Sequence, residues 1–147
     1  MVNSYTLGRM GKEALGGTVN TALALALAGG RVAIGVGIWS APRTALRALG
    51  FDPDEPQART LGRLTATRDL ATGALALASL GDAGATRRIA LLNAAIDAGD
   101  AAALALALRE RGAGPAHGAA LGLPAALLAS TAGTVLANRL RRAVDLS

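Results

Sequence analysis

The stretch TVNTALALALAGGRVAIGVGIW, residues 18–39, decides the fold class. Nothing polar interrupts it between Ala22 and Gly30, and beyond Arg31 it is apolar again as far as Trp39. A run of about 20 apolar residues, rising 1.5 Å per residue as a helix, matches a hydrocarbon core of roughly 30 Å. The segment therefore reads as a membrane-spanning helix with an ionised residue near its middle. Trp39 stands at its end, where an interfacial anchor belongs.

Three further segments of similar length follow, at about 60–80, 88–108 and 119–137. The first break runs from Pro42 through Asp52, Pro53, Asp54, Glu55 and Pro56, a run of prolines and acids that reads as a polar loop. The second is Gly81, Asp82, Ala83 and Gly84, and the third is Gly112, Ala113, Gly114 and Pro115. Beyond the last segment, Arg139, Arg141 and Arg142 form a basic tail. A soluble bundle needs a polar stripe on every helix. The fourth segment offers only Ser130, Thr131 and Thr134. The expected fold is thus all-α, an antiparallel four-helix transmembrane bundle forming one domain over residues 1–147.

Composition agrees in part. The chain is 52% hydrophobic, and its mean hydropathy is +0.39. Its 19 glycines are costly in a soluble helix but let helices approach closely in lipid. Aromatic residues, at 2%, are scarcer than interfacial belts usually require. The absence of Cys excludes disulfides, thiolate metal sites and Cys nucleophiles. All 15 basic residues except Lys12 are Arg, giving a net charge of +5. No aromatic platform accompanies that charge, so a nucleic-acid partner is not expected. Ala26 and Ala28 after Arg9 and Lys12 imitate a leader cleavage site, but the apolar run resumes after Gly30, as in a continuous span. With four spans, Arg9, Lys12, Arg87, Arg88, Arg139, Arg141 and Arg142 share one side, against Arg43, Arg47, Arg109 and Arg111 on the other. The excess of basic residues places both termini in the cytoplasm, with the chain in the plasma (inner) membrane.

Charges recur at mid-segment: Arg31 in the first, Arg68 and Asp69 in the second, Asp97 and Asp100 in the third. In an antiparallel bundle all five fall at a similar depth. Charge facing lipid at midspan costs roughly 2.5–3.5 kcal/mol per residue, so these side chains should face one another. Asn93, Asp97 and Asp100 share one helix face, and Thr65, Arg68 and Thr72 share another. The candidate ligand-binding set is Arg31, Arg68, Asp69, Asn93, Asp97 and Asp100, with Arg68 expected to pair with Asp97 or Asp100. Two arginines against three aspartates leave a formal charge of minus one. The expectation is that one carboxylate, Asp97 first, holds a proton, or that a cation completes the site.

The leading functional reading is a module that binds a small or lipid-like hydrophobic molecule at this layer. A second is a membrane-embedded, cofactor-independent acid/base enzyme, an isomerase or cyclase, with Asp97 and Asp100 as the catalytic pair. A third is a structural subunit whose small-residue faces dock on partner helices. The partners expected are membrane lipid, a hydrophobic small molecule and, in one reading, a second copy of the chain. No cofactor is implied. His117, alone in a Gly-rich loop, makes no metal site. Gly30 and Gly35 have the spacing of a P-loop, but Val36 stands where Lys is required. Arg59 and Arg63 open the second segment and can snorkel to the interface. The sequence Arg31 to Gly35 is faintly echoed by Arg68 to Gly73, which chance in an Ala/Gly/Arg-rich chain explains about as well.

The run from Gly35 through Trp39 to Pro42, then Phe51, then Ala58-Arg-x-Leu-Gly-Arg-x-x-x-x-Arg-Asp-Leu-Ala-x-Gly73, together with Asp97 and Asp100, resembles a group of small uncharacterised actinobacterial membrane proteins of four spans, loosely DoxX-like in layout. The resemblance covers most of the chain. It implies a four-helix membrane bundle and no particular activity.

Overall fold

The computed structural model describes residues 17–110 and 117–145, side chains excepted at 117–119 and 143–145. Arg9, Lys12, Arg111, the Gly112-to-Pro115 break and the side chain of His117 lie outside the described residues. Those described form helices and no strands: α1 (Thr18–Ser40), α2 (Pro42–Ala48), α3 (Pro56–Ala78), α4 (Ala83–Glu110) and α5 (His117–Asp145).

The helix ends follow from local chemistry. Pro42 and Pro56 occupy the first turns of α2 and α3, where a missing N–H costs nothing and a fixed φ favours the helix. The stretch after Pro42, expected as loop, therefore begins with a helix. That helix stops at Gly50, whose φ of 80° only glycine adopts readily, with the Phe51 N–H donating to the Leu46 carbonyl at 2.9 Å. Asp82 opens α4 by accepting from the Ala85 N–H at 2.8 Å. At the other end of the chain the expected basic tail is helical, since α5 runs through Arg139, Arg141 and Arg142 to Asp145.

Four long helices pack as two pairs, α1 with α3 and α4 with α5, and the pairs touch each other far less. The buried positions of α1, Asn20, Ala24, Ala28, Gly35 and Ile38, repeat at helical spacing, as do Gly62, Ala66, Asp69 and Gly73 of α3. Their contacts run in opposite directions along the chain. A Cβ on Gly35 would lie 2.6 Å from Leu70 Cγ and 2.9 Å from the Ala66 carbonyl oxygen. One on Gly73 would lie 2.8 Å from Val32 Cγ2 and 3.1 Å from the Ala28 carbonyl oxygen. The two glycines thus receive each other's helix reciprocally, and the faint sequence echo has a counterpart in packing. In the second pair, the Ser130 hydroxyl donates to the Ala94 carbonyl at 2.9 Å, and Gly133 lies against Ala90 and Ala94.

The inside is built of small residues. Where α1, α4 and α5 meet, Ala24, Ala90, Leu136, Ala137 and Leu140 form the buried cluster. Many large apolar side chains point outward: Leu128 is 72% exposed and Leu61 63%. Asp69 and Asp97 point inward and are buried. This reverses the water-soluble pattern, in which an exposed apolar surface of this breadth is rare. Among the described residues three helices are long and apolar enough to cross a membrane: α1, α4 and the Ala120–Arg142 part of α5. The second expected span, in α3, is not among them, because Arg59, Arg63, Arg68 and Asp69 all lie on that helix.

The close α1–α3 approach gives a paired expectation. Gly35→Ala forces the helices apart and costs about 1–3 kcal/mol. Gly37→Ala, with nothing within 4 Å of the added carbon, gains about 0.5–1 kcal/mol from helix propensity. Thermal unfolding of the two variants in detergent checks both signs.

Candidate functional site

The inner faces of α1, α3 and α4, which bury small residues, also carry the charged layer. Arg31 leaves α1 at the same seam as Ala28 and Gly35, Asp69 lies between Ala66 and Gly73 on the inner face of α3, and Asp97 lies between Ala94 and Ala101 on that of α4. Glycine and alanine bring the backbones close enough for these side chains to meet.

Arg31 is the hub. Its Nη1 donates to Asp69 Oδ1 at 2.9 Å, and its Nη2 donates to Asp97 Oδ1 at 2.6 Å. Nη2 also reaches the Asn93 carbonyl at 3.4 Å. One guanidinium therefore joins α3 and α4, which belong to different helix pairs. Arg68 adds a second bridge. Its Nη1 and Nη2 hold Asp100 Oδ1 and Oδ2 at 2.9 and 2.7 Å, a two-pronged pairing that suits the planar guanidinium. Arg68 Nη2 also lies 3.4 Å from Asp69 Oδ1, so the two bridges share a carboxylate.

Depth separates the two bridges. The side chains of Arg31, Asp69 and Asp97 are 11%, 9% and 11% exposed, whereas those of Arg68 and Asp100 are 32% and 39% exposed. The expected partnership of Arg68 with Asp97 or Asp100 is met by Asp100. Asp97 instead belongs to Arg31, whose position at the centre sequence spacing did not indicate. Asp97 and Asp100 thus each have their own arginine. All three carboxylates have an arginine nitrogen within hydrogen-bond reach.

Beside the layer, a cleft of about 320 Å³ opens between the two helix pairs. It extends along α4 from Thr86 to Leu104, a rise of about 27 Å. Leu27, Ile34, Ala90 and Ala129 give it apolar walls, and all five charged residues and Asn93 border it. Small residues make this space: Gly122, Ala125, Ala126, Ala129 and Gly133 of α5 have no side chains long enough to fill it. Asn93 Oδ1, buried on this wall, has no hydrogen-bond partner. Neither has Thr72 Oγ1, on the polar stripe of α3, nor Arg68 Nε. Sequence reasoning missed the contributions of Thr86 and Ser130. A hydroxyl on a helix normally bonds its own backbone, as Thr131 and Thr134 do here, and only packing reveals a hydroxyl that reaches a neighbouring element.

Among the described residues no group of three or more His, Asp or Glu side chains is arranged to hold a metal ion. Comparison with known protein families, with curated proteins and with solved structures finds no match to this chain.

The geometry ranks the two arginines. Arg31→Ala strands the buried Asp97, leaves the buried Asp69 only its 3.4 Å contact with Arg68, and costs about 3–5 kcal/mol. Arg68→Ala strands a more exposed carboxylate and costs about 1–2 kcal/mol, between the values for exposed and buried pairs. Equal losses in reversible unfolding would contradict this order.

Proposed function

We propose that the protein is an integral membrane protein with four spans, α3 being the fourth, and that it binds a small, largely apolar molecule in the cleft between its helix pairs. The cleft carries this reading. Its volume lies at the lower end of the roughly 300–1,000 Å³ typical of ligand sites, and its walls combine apolar area with a few converging polar groups, as such sites do. Ionisable residues within spans mark functional positions more often than not.

The charges on α3 are compatible with a span. Arg68 and Asp69 turn into the ion pairs. Arg59 and Arg63 belong to its first two turns, where Arg59 Nη1 bonds the Pro53 carbonyl at 3.3 Å and the Arg63 guanidinium lies 5.9 Å from the Trp39 ring centre. Such an arginine beside an interfacial tryptophan keeps its head near the membrane surface. Contacts of α1 with α3 and of α4 with α5 in opposite chain directions support an antiparallel bundle. The resemblance to small four-span membrane proteins of loosely DoxX-like layout implies the same span number and no activity. Placement in the plasma membrane with cytoplasmic termini rests on the distribution of basic residues.

The test has two stages. The protein partitions with membranes and needs detergent for extraction; recovery of monodisperse protein from the soluble fraction would overturn the membrane reading. In lipid nanodiscs, a dodecanol carrying a photoactivatable diazirine on its chain labels cleft residues such as Leu104 and Ala129. Ala129→Phe, which fills the cleft, lowers that labelling at least tenfold and leaves labelling of lipid-facing Leu128 unchanged. Labelling confined to Leu128 and its neighbours in both proteins would overturn the binding reading.

A further inference from the structure

We infer that the ligand of the cleft is a primary amine with an apolar chain, bound as its ammonium ion with the head at Asp97 and Asn93. This rests on the reading of the cleft as a ligand site and adds the chemistry of its head group.

The first observation is charge. The described residues that border the cleft include two cationic groups, Arg31 and Arg68, and three anionic ones, Asp69, Asp97 and Asp100, a formal sum of minus one. Both arginines are already committed to these carboxylates. A cationic head brings the layer to neutrality, whereas an anionic head doubles an imbalance in a medium that penalises net charge.

The second observation is hydrogen bonding. Asn93 Oδ1 is a buried acceptor with no donor, and an unmet buried acceptor costs about 1–3 kcal/mol. Asp97, one helical turn further along the same face, uses Oδ1 for Arg31, and its Oδ2 takes no part in the ion pairs. Both oxygens accept, so a ligand here must donate. An ammonium brings three N–H donors and a positive charge, and a hydroxyl brings one donor without charge.

The third observation is the wall. Quaternary ammonium ions are held by aromatic faces, and no aromatic ring borders this cleft among the described residues. Ala90, Ala126 and Ala129 leave space for a narrow chain instead.

The experiment uses the full-length protein in nanodiscs of zwitterionic lipid. Four diazirine-bearing dodecyl probes differ only in head group: primary ammonium, trimethylammonium, hydroxyl and sulfate. The ammonium probe labels the cleft at a concentration at least tenfold lower than any other. Asn93→Leu brings that advantage down to threefold or less while hydroxyl-probe labelling persists. It leaves the ion pairs intact, because Arg31 reaches only the main-chain carbonyl of Asn93. Asp97→Asn removes the advantage where it folds. If the trimethylammonium, hydroxyl or sulfate probe labels the cleft as readily as the ammonium probe, the head-group assignment is wrong and the cleft remains a ligand site. An unchanged ammonium advantage in Asn93→Leu overturns the assignment of the head to Asn93. If none of the four labels the cleft, the binding reading itself fails.

Discussion

One guanidinium holds this molecule's two halves in register. Arg31 extends from α1 to Asp69 on its packing partner α3 and to Asp97 on α4, in the opposite pair. Elsewhere the pairs meet through the more exposed Arg68–Asp100 bridge, the alanine and leucine cluster near Ala24, Ala90 and Leu140, and the Ser79–Thr86 contact at the α3–α4 turn. Because Arg is never neutral in a protein, the positive side of the interaction is constant. Taking the ions out of water is expensive, and removing one partner is worse, since it leaves a bare buried charge. Such a cluster stabilises less than its short distances suggest and specifies more: alternative registers of the pairs would strand Asp69, Asp97 or Arg31.

The rest of the architecture accommodates that interaction. Close backbones at Gly35 and Gly73 set Asp69 within reach of Arg31, and Gly133 sets α5 against Ala90 and Ala94 of α4. The same economy of side-chain volume opens the cleft, since a wall of alanine and glycine packs helices closely along some rows and leaves space along others. Site and fold therefore share one cause. Large side chains such as Leu61, Leu64 and Leu128 are left for the outside.

Much of this was legible in the sequence, and the unread part has a physical pattern. Segment lengths and the breaks at Gly81–Gly84 located the long helices, and depth alone brought the five charges together. Depth does not give azimuth, so shared depth and opposite charge offer Arg68 either Asp97 or Asp100, and both that choice and the central place of Arg31 need the helix rotations. The helix after Pro42 was read as loop, because a proline that ends one helix also begins the next well. Apolar length undershot α4 and α5, whose ends continue through charged residues such as Arg87, Arg109, Arg139, Arg141 and Arg142. Average hydropathy and side-chain direction disagree for α3: it carries four charges, of which Arg68 and Asp69 face the protein and not the surroundings.

A double-mutant cycle between Arg31 and Asp97 tests most directly whether the buried cluster couples the helix pairs. Arg31→Met, Asp97→Leu and the double variant are unfolded reversibly in mixed micelles beside the wild type, and the coupling free energy is taken from the four stabilities. The account predicts a favourable coupling of at least about 2 kcal/mol, with the double variant losing far less than the sum of the singles. A coupling below about 0.5 kcal/mol would mean that the two residues act independently, and that the pairs are held together by something other than this ion pair.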